Sequence, residues 1–432
     1  MQKIKIACIS DSIRLTSGFA NVARPIIYGF HEALMEVYAF GTMDTQYDFN
    51  RDIPFIFQPS NPYDEMGHRT VALFLVNVQP DVIFILFDPG NLDTFVQIIL
   101  KLQETGNLKK CPIVAYTPIE GVPIPGSTAA CFSRIIEAGG KVVLYSPKMI
   151  HLINKQYPDL TPNLEWAYHG LDHANFEKYD EVKRSQLREF VGWNDFIVGS
   201  VAVNKRTKGL DTIIYTARML RDLKEDEGIK FYLHTSVDKP TMWGYNLRDL
   251  AINYGVEDMF IFKPEVEAEA GGNIRGIDTE TNLAQLNNAT DKTESLAALG
   301  FIDRLNMLDC YLDLSQVEGW GLPAHEAMRC GVPTISVKDM SIREEVYDGG
   351  VLWLEPEPFR LWQTWHTGVK LVVVDPYNAA EAVIELKKSD DVIKKFWSDS
   401  AIKNASKYNW QPTKDKFVEI VNKVVEDYDY TV

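Results

Sequence analysis

Short, continuous apolar runs recur along this chain, separated by segments with helical periodicity. In the first half they fall at 3–9, 36–42, 81–87, 111–117, 141–146 and 164–168, and are rich in Val, Ile, Phe and Tyr. A strand with one wet face alternates apolar and polar residues. A run that is apolar at every position is buried on both faces, as in a parallel sheet. The intervening stretches, such as 17–32 and 91–103, read as helices. Strand–helix alternation of this kind predicts a doubly wound α/β fold.

The pattern restarts near residue 196, with runs at 196–203, 229–236, 259–263, 310–315, 333–337 and 369–374. Between the halves, Glu177, Lys178, Asp180, Glu181, Lys183, Arg184, Arg188 and Glu189 crowd together and read as a solvated helix at a junction. A chain of 432 residues exceeds the roughly 100–200 of one domain. The expectation is two tandem Rossmann-like domains, 1–177 and 178–407, facing a cleft.

Composition narrows the functional classes. Lys+Arg 44 against Asp+Glu 60 gives a net charge of −16, so the chain as a whole has no electrostatic reason to bind nucleic acid or an anionic membrane. Lys3, Lys5, Arg14 and Arg24 are too sparse for a basic membrane-docking helix. The 70–87 stretch is broken by Asn77, Gln79, Pro80 and Asp81, and no segment reaches the ~18 apolar residues of a membrane span. Residues 3–9 are too short for a secretory leader. Cys8, Cys111, Cys131, Cys310 and Cys330 form no C-x-x-C, and read as reduced core thiols in a cytoplasmic protein.

Two stretches break the strand–helix rhythm. Residues 264–300 are long and acid-rich, and 353–366 carries Trp353, Trp362, Trp365 and His366, which suit a packed cap and a sugar-stacking surface equally. Neither half shows G-x-G-x-x-G after its first strand, which a nicotinamide-dependent dehydrogenase requires. The D-x-D at Asp427 and Asp429 lies in the tail, and no metal site is legible.

The most informative string runs from Glu318 through Gly319, Trp320, Gly321, Leu322, Pro323 and Glu326 to Gly331 and Pro333, just after the 310–315 strand. Pro323 suits a helix start and Gly331 the position past its end. Gly319 and Gly321 let backbone amides approach a ligand, and a helix start favours an anion such as a diphosphate. Each carboxylate can accept two hydrogen bonds from vicinal sugar hydroxyls.

This string resembles the signature of glycosyltransferase family 4, a retaining family of GT-B fold. The stretch Gly199, Asn204, Lys205, Arg206, Thr207, Lys208, Gly209 resembles the family's strand and basic loop, although Val203 stands where the family's Arg commonly sits. Ser10 to Arg24, with Gly18 and Phe19, resembles its small-residue loop and helix start. Tyr168–Phe176 resembles the segment ending its first domain, and Ser341–Gly350 a stretch beyond the signature.

The resemblance implies that the last helices, about 391–427, lie near or cross back over the first domain, so that 408–432 packs near it with Trp410 as an anchor. It also implies transfer of a sugar from a UDP- or GDP-sugar to an acceptor hydroxyl, without a metal or other cofactor. Arg206 and Lys208 would grip the diphosphate, Glu318 the donor sugar and Glu326 the ribose. Gly319, Trp320, Gly321, Leu322, Asn204, Gly18 and Phe19 would line the donor. His234 and Lys263 end two strands, a position that suits donor contact and plain surface equally. Glu120 reads equally as a turn carboxylate and as a group that orients or deprotonates the acceptor. His325 reads as a neighbour of the site. The acceptor class stays open among saccharide, lipid, protein and modified nucleic-acid base. An epimerase- or phosphorylase-like relative, or a non-catalytic sugar-nucleotide binder, would share the same layout.

Overall fold

The computed structural model describes residues 3–15, 17–45, 53–238, 244–262, 296, 299–338, 342–357, 362–363, 369–428 and 430. The chain divides into two compact units. Met1–Gly170, Trp365–Val369 and Asn409–Val432 form the first, and Leu171–Thr364 with Lys370–Tyr408 form the second.

The first unit holds a parallel sheet of seven strands: β1 (Lys5–Asp11), β2 (Glu36–Thr42), β3 (Ile56–Pro59), β4 (Val82–Leu86), β5 (Ile113–Thr117), β6 (Lys141–Leu144) and β7 (Leu164–Trp166). Their order is β3-β2-β1-β4-β5-β6-β7. Every residue of β4 and β5 is buried, as their unbroken apolar runs require. The helices are α1 (Gly18–Glu32), α2 (Thr70–Val78), α3 (Pro89–Glu104), α4 (Gly126–Glu137) and α5 (Pro147–Asn154). In α1 the buried Ala20, Ala23, Ile27 and Phe30 recur at helical spacing and form the stripe that faces the sheet. The edge strand β3 is new relative to the sequence reading. It is half-exposed and closes on Pro59, so it lacks the apolar continuity that marks the inner strands.

The second unit opens with α6 (Glu181–Val191), whose N-cap is Asp180. Its parallel sheet contains β8 (Phe196–Val201), β9 (Ile229–His234), β10 (Phe260–Phe262), β11 (Cys310–Asp313), β12 (Thr334–Val337) and β13 (Val351–Leu354), in the order β10-β9-β8-β11-β12-β13. Its helices are α7 (Leu210–Asp222), α8 (Leu247–Asn253), α9 (Phe301–Asn306), α10 (Leu322–Arg329), the single turn α11 (Arg343–Val346), α12 (Pro376–Lys388) and α13 (Asp391–Ala405).

The expected strand at 369–374 is corrected. Only Lys370–Leu371 is extended, and it pairs antiparallel with Trp362–Gln363 outside the main sheet. Asp375 caps α12 and Pro376 begins it, which cuts the apolar run short. The sixth strand is instead β13, so Trp353 belongs to the sheet edge.

The last helix, α14 (Trp410–Asp427), belongs to the first unit. Its Phe417 is fully buried, edge-on to Phe84 at 5.4 Å and to Tyr116 at 4.7 Å. All five cysteines are buried free thiols. Among the described residues no helix is long and apolar enough to cross a membrane.

Candidate functional site

Both sheets reverse their strand order at one point, between β1 and β4 in the first unit and between β8 and β11 in the second. In open parallel sheets the crevice beyond the carboxyl ends of such a strand pair is where ligands bind. In the second unit that crevice is where the basic loop and the acidic string meet.

The chain leaves β8 and makes one tight turn of 3-10 helix over Arg206–Lys208, ending at Gly209 with φ 63°. A Cβ at Gly209 would lie 2.1 Å from the Leu314 carbonyl oxygen, so only glycine allows this approach. The Gln316 amide donates to the Thr207 carbonyl at 2.8 Å. The basic turn is thereby fastened to the loop that follows β11. Across the junction Lys208 Nζ meets Glu318 Oε1 at 2.7 Å, with side chains 20% and 17% exposed. Arg206 is exposed, its guanidinium 5.7 Å from the ring centre of Tyr245. Asp211, in the first turn of α7, is pushed up by burial, against the opposing pull of hydrogen bonds from Thr212 and Tyr245 and of the Arg206 charge.

Glu326 is buried on α10, and Glu318 sits partly exposed on the loop before it. Both carboxylates act on one group, the Tyr311 hydroxyl, whose ionisation is raised far above its usual range by burial first, then by Asp313, Glu318 and Glu326. That hydroxyl donates to the Val201 carbonyl at 3.1 Å and accepts from the Val201 amide at 3.2 Å, spanning β11 and β8 at the switch point. Beneath the loop, Arg343 is fully buried and its Nη1 donates to Asp313 Oδ2 at 3.0 Å. Burial pushes the Asp313 carboxyl up, but the Arg343 charge with the Ser315 and Arg343 hydrogen bonds outweighs it and holds Asp313 below the usual carboxylate range. His325 is buried against Trp320, Tyr347 and Tyr408, and burial lowers its pKa to about 4, so the ring is neutral near pH 7.

The structure thus brings together Lys208 and Glu318, with Arg206 two residues away on the same turn and Glu326 on the adjoining helix. Gly319 is buried, Leu322 is half-buried at the start of α10, and Gly321 takes φ 85° as its N-cap. Other residues singled out from the sequence are built into the framework. Asn204 is buried and its Nδ2 donates to the Ser236 and Tyr245 carbonyls at 2.8 and 2.7 Å, while its Oδ1 accepts from the Tyr245 amide at 3.0 Å. It thereby ties Ser236 to Tyr245. His234 is 1% exposed, its Nδ1 2.8 Å from the Tyr232 hydroxyl. Trp320 is 3% exposed and packs edge-on to Tyr408 at 5.3 Å. Lys263 and residues 264–295 lie outside the described residues.

In the first unit, Gly18 begins α1 in open space, and Phe19 packs on Phe87 with ring centres 6.0 Å apart. Glu120 is exposed on the loop after β5. Among the described residues, no three His, Cys, Asp or Glu side chains form a metal-holding group. Two supports of the site escaped the sequence reading, Asp313 and Arg343. Arg343 is followed directly by Glu344 and Glu345, so its neighbours in the chain carry no sign of its burial.

The helix starts carry a further clue. α7 begins at Gly209 and α10 at Gly321, both left-handed and without a side-chain cap. Helix N-termini of this kind leave amide groups and the positive end of the macrodipole for an anion.

The comparisons agree with this geometry. Residues 272–390 match the family described as glycosyl transferases group 1. The structure is similar over its length to a glycosyltransferase from Rickettsia africae, with TM-score 0.68 and 12% identity, covering 99% of this chain and 100% of that one. It is also similar to sucrose-phosphate synthase of Thermosynechococcus elongatus (TM-score 0.65, 14% identity, 98% and 99% covered). A third similar structure is Anabaena HepE in complex with UDP-glucose (TM-score 0.65, 14% identity, 97% and 100% covered). No curated protein matches the sequence. The fold is that of the GT-B glycosyltransferases. Within the second unit, it is residues 272–390 that match the group 1 glycosyltransferase family.

Proposed function

We propose that this chain is a retaining glycosyltransferase of family 4 type, moving a sugar from a nucleoside diphosphate sugar to an acceptor hydroxyl. The second unit takes the donor and the first unit the acceptor. The observation that carries this reading is the 2.7 Å contact of Lys208 with Glu318 at the switch point, beside two helix starts without side-chain caps.

Arg206 and Lys208 supply positive charge where the leaving diphosphate develops negative charge, usually the largest electrostatic contribution in such a site. Arg206 offers a planar fork and Lys208 a point charge. Glu318 is placed to release Lys208 to the diphosphate and accept from donor-sugar hydroxyls. Glu326, on the adjoining helix, is assigned to the ribose. In this chemistry the leaving diphosphate takes the acceptor proton, so no strong side-chain base is needed. Side chains and helix ends carry the diphosphate charge, and we assign no metal to the reaction. UDP- and GDP-sugars are the proposed donors; HepE, a structure of similar fold, is complexed with UDP-glucose.

The test is a thermal-shift comparison of UDP-, GDP-, ADP- and TDP-sugars, because a ligand that binds only the folded state raises Tm. A selective rise with UDP- or GDP-sugars that Glu326→Ala removes, together with loss of nucleotide release in Glu318→Ala, supports the reading. No shift with any donor, or unchanged kinetics in both variants, overturns it.

A further inference from the structure

Besides its ties to the basic turn, the Glu318 loop is held from both ends by the single helical turn α11 and its C-cap residue Tyr347. Arg343 and Tyr347 are four residues apart, so they project from the same side of that turn. Arg343 Nη2 donates to the Ser315 carbonyl at 2.8 Å, at the near end of the loop. The Tyr347 hydroxyl donates to the Gly321 carbonyl at 2.8 Å and approaches the Trp320 carbonyl at 3.2 Å, at the far end. His325 Nε2 lies 3.0 Å from the Val346 carbonyl. A carbonyl only accepts, so Nε2 carries the proton and ties α10 to the same turn. Arg343 and Tyr347 are 0% and 1% exposed. A bound sugar nucleotide cannot reach them, and they can influence it only through the backbone they hold.

We propose that Arg343 and Tyr347 are positioning residues, suspending the 315–321 backbone from both ends so that Glu318 stands beside Lys208 when donor binds. The proposal rests on the glycosyltransferase reading above. Gly321 supports it from the other side of the contact. A Cβ there would lie 2.0 Å from the Tyr347 hydroxyl oxygen but 3.2 Å from the ring carbon that bears it. The hydroxyl therefore occupies the space that a side chain at the N-cap of α10 would need.

The experiment uses the full chain and Tyr347→Phe, which removes one oxygen and leaves the ring in place. Turnover is read as nucleoside diphosphate release from UDP-glucose and GDP-mannose, and donor affinity by calorimetry. The expected result is about a tenfold fall in kcat with donor Kd within about twofold of the wild type, because a small misplacement of a reacting group costs rate before affinity. The second arm compares Gly321→Ala with Gly321→Ala/Tyr347→Phe. The double variant should recover part of the kcat lost in Gly321→Ala, since the clashing oxygen is gone. Wild-type kcat in Tyr347→Phe, or equal losses of kcat and affinity with a large fall in Tm, overturns the positioning role alone. A wild-type chain that binds and turns over neither donor overturns the parent reading, and the inference with it.

Discussion

The two units are built on one plan and carry opposite chemistry at the same place. Each is a parallel sheet with its switch point beside its first strand. After β1, the first unit places Asp11, whose carboxylate accepts from Ser17 at 2.5 Å and Thr42 at 3.1 Å. The nearby cations are engaged: Arg14 Nε meets Asp44 at 2.7 Å, and Arg24 donates to the Ile13 and Leu15 carbonyls at 2.8 and 2.6 Å. After β8, the second unit places Arg206 and Lys208. The helix starts differ in the same sense. Ser17 caps α1 and Asp88 caps α3 with their own side chains, whereas Gly209 and Gly321 leave α7 and α10 without a side-chain cap. The fold supplies the crevice in both units, and the uncapped helix starts beside Arg206 and Lys208 are the reason the second unit is proposed to receive the anion.

The contrast breaks most visibly at the buried pairs. Arg343 is 0% exposed beside Asp313 at 8%, whereas Arg14 and Asp44 are 17% and 6% exposed. Arg343→Met leaves an uncompensated buried carboxylate, so denaturant unfolding should show a loss of about 3–5 kcal/mol. Asp313→Asn with Arg343→Met should recover much of it. Arg14→Ala, nearer solvent, should cost less. Equal losses in the two units would remove the distinction.

A comparable effect is expected on rate rather than stability. Arg206→Ala with Lys208→Ala should lower turnover by about 10²–10³-fold, the usual loss when charge-stabilising groups are removed. Arg14→Ala should leave the donor Kd unchanged. Steady-state kinetics with calorimetry reads both. Full activity of the double variant would place the diphosphate grip elsewhere.

Much of this was legible in the chain, for identifiable reasons. The inner strands announce themselves because burial on both faces forces unbroken apolar runs, as in β4 and β5. The strand β3 did not, because it is half-exposed and broken by Gln58 and Pro59, and β13 did not, because Trp353 was read with the aromatic stretch 353–366. The basic loop and the acidic string were legible as motifs. Their 2.7 Å contact was not, because it depends on Gly209 and Leu314 meeting across two strands. Asn204 was expected to line the donor, and His234, at a strand end, suited donor contact and plain surface equally. Both face inward to hydrogen-bond their own framework, a direction that spacing alone does not give.

Acidification should act in opposite senses on His325 of the second unit and Asp11 of the first. His325 has an ordinary pKa of 6.5 and about 4 in the folded state, since burial disfavours its charged form. Above pH 6.5 the ring is neutral folded and unfolded, and its contribution is intact. As pH falls from 6.5 to about 4 the unfolded chain binds the proton first, so stability declines, by roughly 3 kcal/mol once pH is below both values. Asp11 behaves in the reverse sense. Burial, reinforced by Asp88, raises its folded pKa despite the Ser17 and Thr42 hydrogen bonds, so lowering pH through that value relieves a cost. Unfolding followed against pH should flatten in the 6.5–4 window with His325→Leu. Asp11→Asn should remove the opposing slope. An unchanged window in His325→Leu would assign the acid sensitivity to another group.

The smallest effect tests the helix starts themselves. Ser17→Ala and Asp88→Ala each delete a side-chain N-cap of the first unit, and each should cost about 1 kcal/mol in denaturant unfolding. No matching cap exists to delete at Gly209 or Gly321, and none can be added cheaply. Both glycines hold a left-handed backbone, and a Cβ would strike the Leu314 carbonyl at 2.1 Å or the Tyr347 hydroxyl at 2.0 Å. The starts of α7 and α10 are therefore kept without caps by backbone geometry, not by a mere lack of serine or aspartate. Losses well below a few tenths of a kcal/mol in the first unit would show that its own ends do not depend on their caps. The contrast between the units would then reduce to the charges of Arg206 and Lys208.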